Sequence, residues 1–490
     1  MALPPFFERV YSALGGHLAV SRDDLTSSLQ GVSVGIEYSL GVTENDFWIA
    51  ELSANLLARL YPRLAIGGSA KEAASLRDLA VKINPNVELV DKAPAALTIG
   101  VGDTKSGAEL LPNASGWIAR LRHSKHERSG VANPYAAGAA ATFAVAEIFR
   151  RVFLNAASQK DISVSLLNFD GTSGETLDLA PSDLGEVLFV AVGAIGNAAL
   201  WALSRDKRRR GQLILIDGED VDLSNLQRYV LAYLEDVSKQ KVVVGQIALV
   251  GSNIAVKTSK STLEAYADQN SGIKSRTICI SVDNVATRRA AQALLPKLVI
   301  NGWTGEQALG ASWHEFWREA ACLACLYHPQ TQGVSQTDQA ARALGLSPER
   351  AALLWVTRVP LSEEDIATAA DKLGVAREVL QPWRGKSLGE LYTDVVCGAA
   401  PISLPVTGRV ETVPLAHQSA LAGILMAAEL VKRTSTEFVS LSQTETLVSW
   451  DDVLRPPPEI WAKPRAREKG CICGDQDYQR VYAKKWTAGC

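Results

Sequence analysis

The chain has 490 residues, 47% of them hydrophobic and 21% charged, with a formal net charge of −3. That length predicts two or three domains, and the balanced charge excludes a global field that would recruit nucleic acid or an anionic membrane. Seven cysteines are too few for a disulfide framework, yet four stand in two close pairs, Cys322/Cys325 and Cys471/Cys473, as metal ligands do.

In chain order, MALPPFFERVYSALGG interrupts its apolar runs with Glu8 and Arg9, unlike a secretion signal, and a cytoplasmic protein is expected. Residues 1–160 read as a worn copy of a later domain, because two segments recur in the same order. LAVKINPNVELVD at 79–91 parallels IALVGSNIAVKTS at 247–259, each a helix end, a turn with Asn and a short strand. AVAEIFRR at 144–151 parallels MAAELVKR at 426–433, each closing an alanine-rich helix. Chance likeness of short apolar helices is the alternative. Before residue 100 no strand ends in a glycine turn followed by an acid and a phosphate-binding run, so this copy is expected to be inactive. The polar run LNFDGTSGETLDLAPSD leads to an expected linker at 161–186.

Val187–Val192 (VLFVAV) then reads as a buried parallel strand opening an α/β unit. The stretch Leu184–Leu203 approaches the length of a membrane span, but Glu186, Asn197 and three glycines speak against one. Further strands are expected at Gln212–Ile216, Val256–Lys257, Thr277–Val282 and Leu298–Ile300, giving a doubly wound, Rossmann-like α/β domain whose nucleotide-binding part is 187–330. A helical insert is expected over 331–396, with N-caps in LSPER (346–350) and LSEED (361–365), and residues 397–490 return to the α/β domain. VSLSQTETLVSW after Val439 reads as a hairpin, and RPPPEIW as a stiff link to the last cysteine pair.

AVGAIG, residues 191–196, places Gly193 and Gly196 between a strand and a helix, where backbone N–H groups and the helix dipole favour phosphate. Ala191 replaces the first glycine of the dinucleotide fingerprint. Asp217 ends the second strand, 21 residues after Gly196, as does the acid that binds ribose hydroxyls in such folds; NAD and ATP both satisfy this. The stretch DGEDVDLSNLQRYVL (217–231), followed by SKQK, discriminates between them. Asn225, Arg228 and Lys241 serve no purpose in hydride transfer. They suit a carboxylate attacking an α-phosphate of like charge, where fixed cations stabilise the transition state. In ISVDNVATRR, Asp283 closes a strand where it can hold Mg²⁺, with Arg288 in support.

These residues resemble the ubiquitin-activating enzymes and their bacterial relatives, the ThiF/MoeB-type adenylyltransferases, from about Leu188 to Cys473. The resemblance implies that Asp217 binds ribose, that Asn225, Arg228 and Lys241 contact phosphates, and that Asp283 serves Mg²⁺. Departures are Ala191 for glycine and Tyr229 where the family usually has glutamine; neither removes a charge the chemistry needs. CLACLYHP (322–329) and GCICG (470–474) offer four thiolates for the family's structural zinc site, although Cys471 and Cys473 form C-x-C rather than C-x-x-C. Buried free cysteines are the alternative.

Cys397, in VVCGAAPISLPVTG, lies in the interval where many family members hold an acyl-accepting cysteine, and a thiolate there would exchange an acyl-adenylate for a thioester. A small buried residue at a helix entry is the alternative. Cys279 reads as core and Cys490 as a chain-end thiol. The basic run RDKRRRG (205–211) reads as a solvated turn, and His314 as a packed histidine rather than a channel lining.

The expected function is activation of a ubiquitin-like protein with ATP, Mg²⁺ and structural Zn²⁺. Delivery is to a ubiquitin-conjugating-like enzyme, by a monomer with an internal pseudo-dimer or by a homodimer. CLACLYHP, NLQRYVL and DNVATRR together resemble the activating enzymes of bacterial ubiquitination-like antiphage operons. Rivals are activation of a sulfur-carrier protein, an NAD-linked oxidoreductase and a non-catalytic nucleotide-binding scaffold.

Overall fold

A computed structural model of the chain describes residues 3–18, 22–39, 43–68, 71–103, 107–154, 160–178, 180–270, 275–305, 308–317, 320–328, 336–392, 395, 414–435, 447–451, 460–462 and 465–487. These fall into two compact units, one of residues 1–5, 26–328 and 414–490, the other of 6–25 and 329–413.

The larger unit begins with a four-strand parallel sheet in the order β3-β2-β1-β4, formed by β1 (Val34–Tyr38), β2 (Arg63–Gly67), β3 (Glu88–Leu89) and β4 (Thr98–Val101). Helix α1 (Glu44–Ala58) joins β1 to β2. It starts where Thr43 and Asp46 cap each other, the Asp46 N–H donating to Thr43 Oγ1 and the Thr43 N–H to Asp46 Oδ2. Helix α2 (Lys71–Ile83) joins β2 to β3. β5 (Leu111–Ser115), β6 (Ile118–Arg122) and β7 (Ile162–Ser165) form a small antiparallel sheet, and between β6 and β7 runs α3 (Pro134–Phe149). Pro134 at its first turn and the Asn133 side chain, accepting from two backbone N–H groups, fix that start.

The second sheet has eight strands among the described residues, in the order β10-β9-β8-β11-β12-β13-β14-β15. β8 (Ser182–Val190), β9 (Arg209–Ile216), β10 (Ile254–Ser259), β11 (Thr277–Ile280) and β12 (Leu298–Thr304) are parallel; β13 (Ala308–Glu315), β14 (Leu447–Asp451) and β15 (Ile460–Ala462) add on antiparallel. Helices α4 (Ala194–Arg205), α5 (Lys241–Ala248), α6 (Leu263–Gln269) and α7 (Val285–Ala293) alternate with the strands, and α8 (Ala416–Thr434) packs on α4, α3, β12 and β13. This is the expected α/β architecture, with parallel strands buried as continuous apolar runs, VLFV in β8 and TICI in β11. β9, β10 and β12 extend beyond their expected bounds, and β8 begins earlier, because polar ends such as Arg209–Gly211 still pair within the ladder, whereas β8 and β11 stop two residues short, at Val190 and Ile280. The span 161–186, expected as a linker, holds β7, a series of turns and the start of β8. The first arm of the expected 439–450 hairpin lies outside the described residues, and its second arm is β14.

The recurring sequence segments occupy matching places. Residues 79–91 end α2 and enter β3; residues 247–259 end α5 and enter β10, and each strand is third in chain order at the edge of its sheet. At the ends of α3 and α8 the same buried ion-pair spacing recurs: Glu147 with Arg150 and Arg151, Glu429 with Lys432 and Arg433. Close packing of α8 on α4 depends on Gly423, where a Cβ would overlap the Ile195 carbonyl.

RDKRRRG departs from expectation: Arg209 is fully buried against Asp206 at 2.9 Å, and Arg205 pairs with Glu51, so only part of the run is solvated. Cys279 sits in the core of β11, where burial pushes its thiol up. No helix among the described residues is long and apolar enough to cross a membrane.

The smaller unit is helical among the described residues, including Phe7–Leu18, Gln336–Leu344, Pro348–Thr357, Glu363–Leu373 and Leu388–Leu391. Leu344, Leu354, Ile366, Leu380 and Leu388 are among its core residues. Both N-caps read in the sequence form: Ser347 Oγ accepts from the Arg350 N–H, and Ser362 shares a capping box with Asp365.

Candidate nucleotide and metal sites

At the C-terminal edge of the second sheet, β8 ends in the turn 191–193 and α4 begins. Gly193 is the N-cap of α4 and supplies no side-chain cap, leaving the first-turn N–H groups to a ligand or water. A Cβ at Gly196 would overlap the Ala191 carbonyl, which explains glycine there. Ala191 itself has φ 74°, the left-handed conformation that costs an L-residue roughly 1–2 kcal/mol. Ala191→Gly is therefore expected to raise stability by about 1 kcal/mol in urea denaturation without altering the turn; a loss of stability would show that the alanine methyl is favourably packed.

Asp217 clamps this turn. Its Oδ2 accepts from the Val192 N–H at 2.8 Å and its Oδ1 from the Glu219 N–H at 2.9 Å. Burial raises its pKa, with Lys241 the chief opposing influence. Asn225 caps the following turn, its Oδ1 accepting from the Asp222 N–H at 3.0 Å. Arg228 has a buried Nη1 with no hydrogen-bond partner, and burial lowers its pKa while Tyr229 and Asp283 oppose that. An unsatisfied guanidinium N–H in such a place fits an anion. Lys241, 5% exposed, begins α5 and pairs with Glu219, which is 75% exposed at its side chain. Burial works against the Lys241 charge, yet Tyr229, Asp217 and Glu219 outweigh it and its pKa is raised. Asp283 is exposed just beyond β11, one residue before the α7 N-cap Asn284, and its charge is felt by both Arg228 and Arg288.

The structure thus gathers Gly193, Gly196, Asp217, Asn225, Arg228, Lys241 and Asp283 around one sheet edge. Two cations, open helix N–H groups and a solvent-facing carboxylate can hold a polyanion with a divalent cation. Tyr229 is an addition to the site: buried, it has its hydroxyl 3.6 Å from where a Gly193 Cβ would stand, and Lys241 Nζ lies 5.5 Å from its ring centroid. Asn55 and Arg59 of the first lobe were not legible as site residues. Their signal is an amide and a guanidinium four residues apart at the end of α1, both buried against the 223–232 loop.

Cys322, Cys325, Cys471 and Cys473 converge, all four buried, with their sulfurs within 4.8 Å of one another. Cys322 and Cys325 sulfurs are 3.9 Å apart, Cys322 and Cys471 3.7 Å, Cys325 and Cys473 3.4 Å, and the Glu468 N–H points to Cys325 Sγ at 3.4 Å. Sulfurs about 2.3 Å from a tetrahedral metal are about 3.8 Å from each other, so the C-x-C spacing fits the same knuckle as C-x-x-C. Four protein ligands close the coordination, which makes such a site structural. It joins the short helix Leu323–Leu326 to the tail helix α9 (Gln476–Thr487), whose Tyr482 stacks on Phe316 at 5.0 Å. His314 is packed, as expected: its Nδ1 is 2.9 Å from the Ala321 carbonyl and its Nε2 2.8 Å from Ser312 Oγ, and burial lowers its pKa to about 4. Cys397 and Cys490 lie outside the described residues.

Residues 182–453 match the ThiF family, and residues 42–154 match Prokaryotic E2 family C. The chain belongs to the ThiF family, the E1-like adenylyltransferases. It is 34% identical to protein y4jF of Sinorhizobium fredii over 99% of this chain and 98% of that protein. It is 28% identical to the sulfur carrier protein ThiS adenylyltransferase of Escherichia coli, over 44% of this chain and 86% of that protein. Among solved structures, E. coli MccB with ATP aligns at a TM-score of 0.37 and 16% identity, over 59% of this chain and 67% of that one.

Proposed function

We propose that the chain adenylates the C-terminal carboxylate of a small ubiquitin-like protein and then captures it as a thioester. The observation that carries this reading is the pair of buried cations at the sheet edge where α4 begins without a side-chain cap, Arg228 within electrostatic reach of the exposed Asp283 and Lys241 within reach of Asp217. A carboxylate oxygen attacks the α-phosphorus of ATP, the bond to the bridging oxygen breaks, and pyrophosphate leaves. Both partners are anionic, so fixed cations are what the step requires. Asp217 takes the ribose hydroxyls, Asn225, Arg228 and Lys241 the phosphates, and Asp283 would hold Mg²⁺, which would offset triphosphate charge. Zn²⁺ is the metal proposed for the four-cysteine knuckle, consistent with its all-thiolate donor set.

The Cys397 thiolate then attacks the acyl-adenylate, AMP leaves, and the acyl group passes to a ubiquitin-conjugating-like enzyme. The match of residues 42–154 to Prokaryotic E2 family C in the same chain favours ubiquitin-like over sulfur-carrier chemistry. That segment contains no cysteine and cannot itself bear a thioester, so the conjugating enzyme is a separate partner. The first lobe is read as an inactive copy of the second, supported by the shared strand order third-second-first-fourth and the paired helix-end ion pairs. One chain then carries a pseudo-dimer, alone or as a homodimer, in a cytoplasmic setting. An antiphage role is part of the same reading and rests on sequence resemblance alone. The second reading, activation of a sulfur carrier, is favoured by the ThiS adenylyltransferase relative.

The two readings part at the fate of the acyl group. Ubiquitin-like chemistry predicts a reductant-sensitive adduct between this chain and the small protein that Cys397→Ala abolishes while pyrophosphate release persists. An adduct unchanged in Cys397→Ala would remove that cysteine from the mechanism.

A further inference from the structure

Asn55 and Arg59, 2% and 1% exposed, stand four residues apart at the end of α1 of the first lobe, Arg59 as its C-cap. Arg59 Nε donates to Asn55 Oδ1 at 2.9 Å. Its Nη1 donates to the Leu226 carbonyl and its Nη2 to the Ala232 carbonyl at 3.3 Å. Asn55 Nδ2 donates to the Val230 carbonyl at 2.9 Å. Among the described residues no carboxylate pairs with this guanidinium, and burial alone brings its pKa down to about 10. A buried cation met only by carbonyl dipoles is an expensive way to join two lobes, and an apolar residue would join them better. What it does instead, with Asn55, is hold three carbonyls, those of Leu226, Val230 and Ala232, in the one loop of residues 223–232 that carries Asn225, Arg228 and Tyr229. The loop is tied at its other side by the Leu231 N–H donating to Asn197 Oδ1 at 3.2 Å, and Asn197 Nδ2 donates to the Val192 carbonyl of the glycine turn at 2.8 Å.

We propose that Arg59, with Asn55, is a positioning residue of the nucleotide site: the first lobe orders the 223–232 loop so that Arg228 and Tyr229 face the start of α4. The lobe that lacks a nucleotide turn of its own is then a working part of the active one. All four guanidinium and amide contacts are to this chain, so Arg59 acts through the loop and does not itself reach a phosphate. This rests on the adenylation reading for what the loop binds, but not for the clamp itself.

The test uses the full chain with Arg59→Met, which keeps length and removes the donors, and, should Arg59→Met fail to fold, Asn55→Ala, which removes the Val230 contact and the acceptor of Arg59 Nε but leaves the Arg59 bonds to Leu226 and Ala232. Hydrogen exchange without nucleotide is expected to quicken at least about tenfold for amides of residues 225–232, with α3 and α8 unchanged. Unchanged loop exchange overturns the proposal, whatever the protein binds. ATP affinity by calorimetry is expected to weaken about tenfold, and to show a smaller further loss when Arg59→Met is added to Arg228→Ala, since both act at one loop. Full additivity of the two losses would make Arg59 an independent structural residue and overturn the proposal. Faster loop exchange in a chain whose wild type binds no ATP would uphold the clamp and sink the adenylation reading instead.

Discussion

Lys241→Ala is expected to slow ATP–pyrophosphate exchange by about 10²–10³-fold, the loss typical of removing one preorganised donor from a developing oxyanion. Lys241 is buried, its ammonium is kept charged by Asp217, Glu219 and Tyr229, and it stands where α5 begins beside the glycine turn. Its ion-pair partner Glu219 is largely exposed and is left in water by the mutation, while Asp217, whose burial Lys241 chiefly offsets, can take up a proton rather than stand as an unpaired buried charge. Stability should therefore change little, on the order of 1 kcal/mol, while the exchange rate collapses. Glu219→Gln separates charge supply from charge pairing: it frees Lys241 from its resting partner and should leave exchange near the wild-type rate. Wild-type exchange in Lys241→Ala, with an unchanged unfolding midpoint, would take the ammonium out of the mechanism.

Removing the knuckle metal is expected to have the largest effect on stability. Four buried thiols brought to 3.4–3.9 Å can close around one ion, and removing a bound ion would leave the sulfurs to take up protons and lose the cross-link between the two cysteine pairs. The tail depends on this point of attachment. Beyond it α9 is held by Tyr482 on Phe316 and by Lys485 and Trp486 donating to the Leu294 and Leu295 carbonyls at 2.7 and 2.9 Å. Cys325→Ser, or prolonged chelation, should lower stability by about 5 kcal/mol or more and free α9 to proteolysis. One zinc per chain by elemental analysis is the matching expectation. A metal-free chain as stable as the untreated one would assign the cysteines to ordinary core packing.

The effect of that loss reaches the sheet by a traceable route. His314 joins the Ala321 carbonyl, next to Cys322, to Ser312 Oγ; Asn301 Nδ2 donates to the same Ser312 Oγ at 3.1 Å, and Arg288 donates to Asn301 Oδ1 and to the Val282 carbonyl. Val282 precedes Asp283. Each member is buried or half-buried and satisfied by its neighbour, so the strand ends that carry Asp283 and the knuckle are parts of one polar network.

Much of the second domain was legible because its signals are local. VLFV is a buried parallel strand by composition, Gly196 is required by the Ala191 carbonyl, and Asp217 follows from strand length and position. The ordered cations of residues 228–241 distinguished polyphosphate from nicotinamide chemistry because charge type survives in a sequence where geometry does not. Residues whose role depends on a distant partner were not legible. Arg209 looked solvated in a basic run, but inside the fold Asp206 pairs with its charge and Ser182 Oγ accepts from its Nη1. Arg59 drew no reading from the sequence, and its bonds to the Leu226 and Ala232 carbonyls appear only once α1 packs on residues 226–232. The C-x-C pair departs from the family's C-x-x-C, and the short turn through Ile472 still brings both sulfurs within 4.8 Å of the other two. Cys397 lies outside the described residues, so its role stands on the sequence alone.

The central claim is that the site built from α4, Arg228, Lys241 and Asp283 joins a carboxylate to AMP. Isotope exchange between pyrophosphate and ATP measures that step directly and does not depend on what later becomes of the acyl group. Exchange by the full chain is expected to require a small protein with a free C-terminal carboxylate, to disappear when that carboxylate is amidated, and to be lost in Asp283→Ala. Exchange without any carboxylate partner, or full exchange in Asp283→Ala, would contradict that claim.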